Sequence, residues 1–378
     1  MAKAQAFHRA NVMLTSEAAL ARLAELEQRD DGHGVAVLND LLESDGRGRP
    51  LYAGEPLPSG RVMLPVTGYV PAVVDAVRER FGADLGDLLS DFQVDPGFRV
   101  ATWDDYAYWR PAHTNGCRTG HAWGTWEYVD YTPPAPVWRS DIDPADRPVV
   151  ALLDNGVLSH PWLDTDPADP FLLQGSCWEP PPAWGQGEPA RFGTHHGHGT
   201  FTAGLIRQYA PDATLLSIKV IDDNGEGYEA DVIQALEWLA GRISAGQRID
   251  VVCMPFGRLP MDDLDEAPLL AKALKALPPQ IQLVASAGNE PGRVRFFPAA
   301  LPSVIAVKAL DDDGNLASYS SDGPWVTAQE KGTQVSTMPL DEQPVVRSRR
   351  FARWSGTSFA AAVHAATLAQ ARLGPQVP

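Results

Sequence analysis

Four polar side chains of this sequence have the chemical types that nucleophilic catalysis needs: Asp154, His198, Asn289 and Ser358. A serine hydroxyl is a weak nucleophile until a base removes its proton. Histidine can be that base near neutral pH because its ordinary pKa is about 6.5, and a carboxylate can fix its tautomer and stabilise the imidazolium. We therefore predict Ser358 as nucleophile, His198 as base and Asp154 as orienter. The Asn289 amide and the backbone N–H groups near Ser358 would bind an oxyanion.

Some of these residues also have an ordinary structural explanation. Ser358 lies in the stretch "RWSGTSFAAAVHAA" (353–366), and a serine before an alanine-rich run is a common helix N-cap. Asp154 precedes Asn-Gly, which is a frequent turn sequence. Neither motif by itself decides between structure and catalysis, so the decision depends on where the fold places all four residues.

The segments from residue 148 onwards predict an α/β domain with a doubly wound, mostly parallel sheet. Continuous apolar strands, typical of a sheet buried on both faces, are predicted at 148–154, 214–221, 249–256, 281–288 and 303–310. Helical segments separate them at 199–209, 229–243 and 266–277. Ligands bind beyond the carboxyl ends of such strands. Asp154 and Asn289 come at strand ends, whereas His198 and Ser358 come at helix starts, so all four lie where this fold would place a site.

The chain order Asp, His, Ser is that of subtilisin, and the residues around each of the three resemble the subtilisin-like serine proteases, the subtilase family. "VVALLDNGV" resembles the family's Asp motif, "HGHGTFTAG" its His motif, "SAGNE" its oxyanion asparagine and "SGTSFAA" its Ser motif. Linking segments at 210–227, 296–310 and 317–321 match as well, so the resemblance covers roughly 148–372. It implies a subtilisin-like fold and a serine endopeptidase.

The resemblance also implies where a peptide substrate would bind. Pro255, Phe256 and Gly257 would pair with an extended peptide by adding a strand, and Ala287 and Gly288 belong to the same substrate-binding region. Pro255 replaces a serine of the family. Proline lacks the N–H but keeps the C=O, so pairing with a peptide remains feasible.

Two further departures from the family concern the turn at the nucleophile and calcium. Ala362, four residues after Ser358, stands where the family usually has proline, and this loss could relax the turn that shapes the serine helix. The segment between the His helix and residue 214 is short, so the family's strong calcium loop is not expected there.

Residues 1–103 predict a smaller α+β domain. Strand-like segments at 11–14, 34–38, 61–66 and 98–103 and helical segments at 15–29 and 70–82 give the order β-α-β-β-α-β, the split βαβ or ferredoxin-like arrangement. Subtilase propeptides have the same order, so the resemblance implies a propeptide-like domain, which the enzyme could remove by autoprocessing. A permanent accessory domain is the alternative.

The segment 104–147 is rich in tryptophan and tyrosine. It predicts a linker that packs on the catalytic domain at 148–378, although an aromatic cover over a cleft would have the same composition.

Charge and cysteine content narrow the class of partner. A net charge of −17 disfavours nucleic acid and anionic membrane surfaces, and no segment approaches the roughly 18 apolar residues of a membrane span. Three scattered cysteines do not make a disulfide framework, and the first twenty residues lack the apolar core of a secretory signal. We therefore expect a cytoplasmic protein that acts on peptides or proteins, with its oligomeric state open.

No metal and no organic cofactor are expected. A zinc site is disfavoured because the histidines of "HHGHG" lack the i, i+4 spacing by which a helix presents two ligands to one metal ion. The candidate ligands in this part of the sequence are Cys177, His195, His196 and His198. Calcium ligands are available in "DDNGEG" (222–227), but such a stretch is more typical of a solvated turn. Cys253 is expected to be a small core residue. The opposed charges of Glu290 and of Arg293 with Arg295 leave side-chain specificity open.

The sequence thus predicts a serine endopeptidase that hydrolyses peptide bonds through an Asp-His-Ser triad. A narrower alternative is a dedicated maturation protease that cuts one precursor or leader peptide. A non-enzymatic alternative is a catalytically silent pseudoprotease that binds peptides. The variant S358A separates an enzyme from a binder, and cleavage of an unfolded protein such as casein separates a broad protease from a dedicated one.

Overall fold

The structure is a computed structural model of the chain. It describes residues 126–163, 171–173, 195–221, 225–260, 267–339 and 350–374, with short segments at 8–10, 12–16, 18, 21–22, 61–65, 83–84 and 97–101. Its contacts group the chain into two units, residues 1–99 with 228–241 and residues 100–227 with 242–378.

The described parts of the N-terminal region contain four short strands: β1 (His8–Ala10), β2 (Val12–Ser16), β3 (Arg61–Pro65) and β4 (Gly97–Ala101). β2 pairs antiparallel with β3, and β1 pairs antiparallel with β4. The strands predicted at 11–14, 61–66 and 98–103 are therefore present. The predicted strand 34–38, the helix 70–82 and nearly all of the helix 15–29 lie outside the described residues, so the β-α-β-β-α-β order stays a prediction.

The remaining strands are β5 (Glu127–Tyr128), β6 (Val149–Asp154), β7 (Thr214–Lys219), β8 (Glu226–Tyr228), β9 (Val251–Met254), β10 (Gln282–Ser286), β11 (Ile305–Leu310), β12 (Val326–Lys331), β13 (Thr333–Thr337) and β14 (Phe351–Ser355). The helices with described bounds are α1 (His198–Tyr209), α2 (Glu229–Ser244), α3 (Pro268–Lys275) and α4 (Thr357–Ala371). A 3-10 turn, Pro144–Asp146, precedes β6.

A parallel sheet dominates the described part of the second unit, with the strand order β12-β11-β10-β9-β6-β7. Every residue of β6 and β9 is buried, as expected for strands covered on both faces. The predicted α/β fold with a mostly parallel sheet is confirmed. The chain runs from β6 to its neighbour β7 on one side and continues with β9 on the other. The switch point of the sheet, where such folds bind ligands, therefore lies between β6 and β9.

The sequence did not predict β12 or a small antiparallel sheet with the order β13-β14-β5. β12, "VTAQEK", alternates half-buried with exposed residues, so it lacks the continuous apolar run by which the other strands were found. β5 comes from the aromatic-rich segment 104–147. The ring of Tyr128 in β5 lies 4.7 Å from that of Trp126, edge to face, and both pack against the core of this unit.

Helices α1 and α4 pack against each other in the core of the second unit. The contact contains an aromatic cluster in which the Phe359 ring lies 4.6 Å from Phe201 and 5.2 Å from Trp354. α4 consists mainly of small apolar residues, and its alanines at 360, 361, 362, 365, 366 and 369 are buried. A helix that is apolar on all sides is one that the fold encloses. The first residues of α1 and α4 therefore begin inside the protein, next to the sheet.

Asp212 joins three parts of this unit from the four-residue connection between α1 and β7. Its Oδ1 accepts a hydrogen bond from the backbone N of Arg139 at 2.6 Å. Its Oδ2 accepts from Nε of Arg139 at 3.1 Å and from Nε2 of Gln370 at 2.9 Å. Burial alone would raise the pKa of Asp212, but these hydrogen bonds and the charge of Arg139 outweigh it and hold the pKa below its ordinary value.

We expect Asp212→Asn to lower the free energy of unfolding at pH 7 by about 1–3 kcal/mol, because it weakens charge-assisted hydrogen bonds in a buried place. A depressed native pKa gives stability that is complete above the unfolded pKa of about 3.9 and is lost as the pH falls through the native pKa. The difference between wild type and variant, measured by urea unfolding, should therefore shrink below about pH 4.

The matched control is Asp322→Asn, since Asp322 pairs with Lys308 at 3.1 Å but is 39% exposed. An exposed pair of this kind contributes at most about 1 kcal/mol. A stability difference between wild type and D212N that is equal at pH 7 and pH 3 would contradict the assignment.

Candidate active site

Asp154 and His198 form a buried hydrogen-bonded pair at the switch point of the sheet. Asp154 is the last residue of β6 and His198 the first of α1, and their side chains are 1% and 0% exposed. Nδ1 of His198 lies 2.9 Å from Oδ1 and 3.0 Å from Oδ2 of Asp154. Because an ionised carboxylate only accepts hydrogen bonds, Nδ1 carries the hydrogen of this contact. Nε2 is then the acceptor nitrogen of the neutral ring.

Asn155 holds this pair in position. Its backbone N donates to Oδ1 of Asp154 at 2.7 Å, and its Nδ2 donates to O of His195 at 2.8 Å. Its Oδ1 accepts from the backbone N of Gly199 at 2.8 Å, one residue beyond His198. The side chain of Asn155 thus ties the end of β6 to the start of α1. In the sequence, Asn155 is predicted only as part of a turn, and its position next to Asp154 is the one signal of this role.

Gly197 allows the chain to enter α1 at the right place. Its φ is +88°, and a Cβ on it would overlap the ring of Pro339. Glycine adopts this conformation without strain. Any other residue before His198 would be strained at this φ and would overlap Pro339.

Ser358 is the second residue of α4, and its side chain is buried. The N-cap of α4 is Gly356, and no side chain caps the helix, so the explanation of Ser358 as an N-cap is wrong. Its Oγ instead donates to O of Pro255 at 2.8 Å. The ring of the next residue, Phe359, lies 5.4 Å from the His198 ring. The packing of α1 on α4 therefore places Ser358 and His198 at neighbouring helix starts, with the Ser358 hydroxyl directed at the carbonyl O of Pro255.

Asn289 is oriented by the residue before Ser358. Its Oδ1 accepts from the backbone N of Thr357 at 2.9 Å and from Oγ1 of Thr357 at 2.8 Å. A backbone N–H can only donate, so this contact fixes which end of the amide is the oxygen. The Nδ2 end, with its two N–H donors, is turned the other way. In the sequence, the place of Thr357 in the "SGTS" motif is the one signal of this role, and it was not predicted.

The predicted substrate-binding residues follow two adjacent parallel strands. Pro255, Phe256 and Gly257 follow β9, whereas Ala287 and Gly288 follow β10, so the two segments lie side by side at the carboxyl edge of the sheet. The backbone of Gly288 is already engaged: its N donates to Oγ1 of Thr357 at 3.3 Å, and its O accepts from N of Ser321 at 2.9 Å. The substrate-binding role of these five residues stays a prediction.

The other candidate residues of the sequence have positions that ordinary packing and hydrogen bonding explain. Cys253 is a buried core residue, as predicted, and burial, followed by the charge of Asp154, raises the pKa of its thiol. His195 is buried, and its backbone O is the acceptor for Asn155 described above. The guanidinium of Arg295 lies 5.1 Å from the centre of the Phe297 ring. Cys177 and the residues 222–224 considered for calcium lie outside the described residues.

Two negative findings hold for the described ranges only. They contain no group of three or more His, Cys, Asp or Glu side chains arranged to hold a metal ion. They also contain no helix with the length and apolar character needed to cross a membrane.

The protein has a doubly wound α/β fold. A buried Asp–His pair, a serine at a helix start and an oriented asparagine lie at the switch point of its sheet. The chain belongs to the subtilase family, whose model matches residues 145–373.

The chain is also similar to individual family members. It is 32% identical over 184 residues to the minor extracellular protease Epr of Bacillus subtilis (strain 168), and the matched region covers 46% of this chain and 26% of that protein. It is 30% identical over 191 residues to an intracellular serine protease of Paenibacillus polymyxa, covering 46% of this chain and 53% of that protein. The chain thus spans about half or less of the length of these relatives. Among solved structures, a lanthipeptide protease matches with a TM-score of 0.46 and 24% identity over 59% of this chain and 72% of that one.

Proposed function

We propose that this protein is a serine endopeptidase in which Asp154, His198 and Ser358 form the catalytic triad. The observation that carries the proposal is the buried contact of 2.9 Å between Nδ1 of His198 and the Asp154 carboxylate. A buried imidazole held at Nδ1 by a carboxylate has one nitrogen, Nε2, with which to take a proton. Family membership and the position of Ser358 at the start of α4 support the same assignment.

In the proposed mechanism, Ser358 Oγ attacks the carbonyl carbon of the scissile peptide bond while its proton passes to Nε2 of His198. Asp154 keeps the hydrogen on Nδ1 and stabilises the imidazolium that forms. The oxyanion accepts hydrogen bonds from Nδ2 of Asn289 and from the backbone N–H of Ser358. His198 then returns the proton to the leaving amine, and water hydrolyses the acyl-enzyme by the same steps in reverse order.

The peptide substrate is proposed to lie along residues 255–257. The carbonyl O of Pro255 accepts the Ser358 hydroxyl at 2.8 Å in the free protein, and a substrate N–H could take its place. Binding of the peptide would then release the hydroxyl for the imidazole, which couples substrate pairing to activation of the nucleophile.

No metal or organic cofactor enters this mechanism. The family's calcium loop between α1 and β7 is not provided by the four residues 210–213, and their one carboxylate, Asp212, binds Arg139 and Gln370. We further propose a cytoplasmic location, for which the low cysteine content and the intracellular relative are the support.

The test is the intact mass of the purified chain after treatment with a fluorophosphonate serine probe, with Ser358→Ala beside it. We expect one probe adduct on wild type and none on the variant, because only an activated serine reacts. A mass loss from the N-terminal region that is absent in S358A would add autoprocessing. A wild type that stays unlabelled while folded would overturn the proposal. It would then favour the pseudoprotease alternative.

Unfolded casein would show how broad the activity is. A labelled wild type that degrades casein is a broad protease, whereas a labelled wild type that leaves casein intact fits the dedicated maturation protease. Both outcomes keep the triad assignment, because labelling measures the nucleophile alone.

A further inference from the structure

The side chain of Phe296 lies between the two segments that we assign to substrate binding. Phe296 is fully buried. A Cβ built on Gly288 would overlap its ring, with Cγ of Phe296 only 2.6 Å away. A Cβ built on Gly257 would lie 3.4 Å from Cβ and 3.6 Å from Cδ1 of Phe296. The phenyl ring therefore occupies the space that the two glycines leave by having no side chains.

The neighbouring backbone fixes the direction of this ring. Arg258 and Phe297 form an antiparallel bridge, with N to O distances of 2.9 Å in both directions. Successive side chains of an extended chain point to opposite sides. Phe297 therefore contacts the guanidinium groups of Arg258 and Arg295, at 5.2 and 5.1 Å from its ring centre, while Phe296 contacts the glycines.

The same space is where one side chain of a bound peptide has to go. The attacked carbonyl must lie between Oγ of Ser358 and the amide of Asn289, and the peptide on its amino side follows residues 255–257. The residue that supplies this carbonyl thus sits between the end of β9 and the end of β10. Its side chain is directed into the gap between Gly257 and Gly288, where the Phe296 ring already lies.

We propose that Phe296 is the specificity-determining residue of this site and restricts the position before the scissile bond to small side chains: glycine, alanine or serine. Leucine, phenylalanine and other large side chains would have to displace a buried ring whose neighbour in the chain, Phe297, is fixed by its backbone bridge to Arg258. This inference rests on the proposed peptidase function. It adds a substrate class that the triad does not define.

The experiment separates the two proposals. Labelling of wild type with a fluorophosphonate probe first reports whether Ser358 is active, independently of any peptide. A peptide library with random flanking residues then gives kcat/KM for glycine, alanine, leucine and phenylalanine before the scissile bond, by mass spectrometry of the products. We expect alanine to exceed phenylalanine by about 100-fold, which is within the range that pocket size alone produces.

The variants Phe296→Ala and Phe296→Leu should shift the ratio of phenylalanine to alanine cleavage upwards by about tenfold or more. Phe297→Leu is the matched control, because Phe297 is equally buried but faces the two arginines, and it should leave the ratio as in wild type. The wild-type profile does not depend on whether F296A folds. A labelled wild type that cleaves after phenylalanine as fast as after alanine would overturn the assignment of Phe296 and leave the triad intact. An unlabelled wild type would overturn both proposals.

Discussion

Replacing His198 by alanine is expected to lower kcat by about a million-fold, the scale known for loss of the histidine or serine from the triad of subtilisin. The physical reason is that the hydroxyl of Ser358 then has no base. The hydroxyl of Ser358 would keep its hydrogen bond to the carbonyl O of Pro255, and a carbonyl oxygen cannot take up a proton near neutral pH. The measurement is kcat for a peptide with a small residue before the scissile bond, on protein shown by circular dichroism to be folded.

The matched control is His160→Ala. His160 is as buried as His198, its ring lies 5.1 Å from Phe351, and its Nδ1 accepts from the backbone N of Trp162 at 3.1 Å. H160A should lose stability, as any buried aromatic truncation does, but keep the wild-type kcat. If H198A kept kcat within about a hundredfold of wild type, the assignment of His198 as general base would be wrong.

Replacing Asp154 by asparagine is expected to lower kcat by about 10,000-fold with little change in KM. The hydrogen bonds of the site determine how the new amide would lie. The backbone N of Asn155 donates to Oδ1 of Asp154 at 2.7 Å, so the amide oxygen would take that place. Its NH₂ group would then occupy the position of Oδ2, which is 3.0 Å from Nδ1 of His198.

An NH₂ group in that position donates to Nδ1, so the imidazole hydrogen moves to Nε2. The nitrogen that should accept the proton of Ser358 is then already protonated, while the packing of the site is nearly unchanged. Asp250→Asn is the matched control. Asp250 is a largely buried carboxylate whose Oδ2 accepts from N of Val149 at 2.9 Å at the other end of β6. D250N should affect stability and leave kcat unchanged, and a D154N protein with kcat within tenfold of wild type would contradict the tautomer argument.

Much of the parallel sheet could be predicted from the sequence, because a strand buried on both faces is a continuous run of apolar residues. β6, β7, β9, β10 and β11 are mainly apolar runs, and each lies where it was predicted. β12 and the β13-β14-β5 sheet could not be found in this way. Along β12 and β13, successive residues differ in how deeply other parts of the chain bury them. β5 pairs with β14, which is more than 200 residues away.

The four candidate catalytic residues could be proposed from the sequence because each belongs to a short motif at a strand end or a helix start. The residues that hold them could not. Asn155 and Thr357 are ordinary turn and helix-start residues in the sequence. Their roles depend on hydrogen bonds to Gly199 and Asn289, which lie 44 and 68 positions away.

The sequence by itself determined the α/β class, five strands of the parallel sheet, the family and the identity of the candidate triad, because period, composition and motif are local properties. Only the tertiary structure decided the shape of the pocket that we propose for the substrate. Gly257, Gly288 and Phe296 belong to three separate segments, and nothing local to any of them shows that the ring of one fills the space left by the other two. Such a contact depends on the register of the sheet and on close packing between segments, and both are set only when the whole domain has folded.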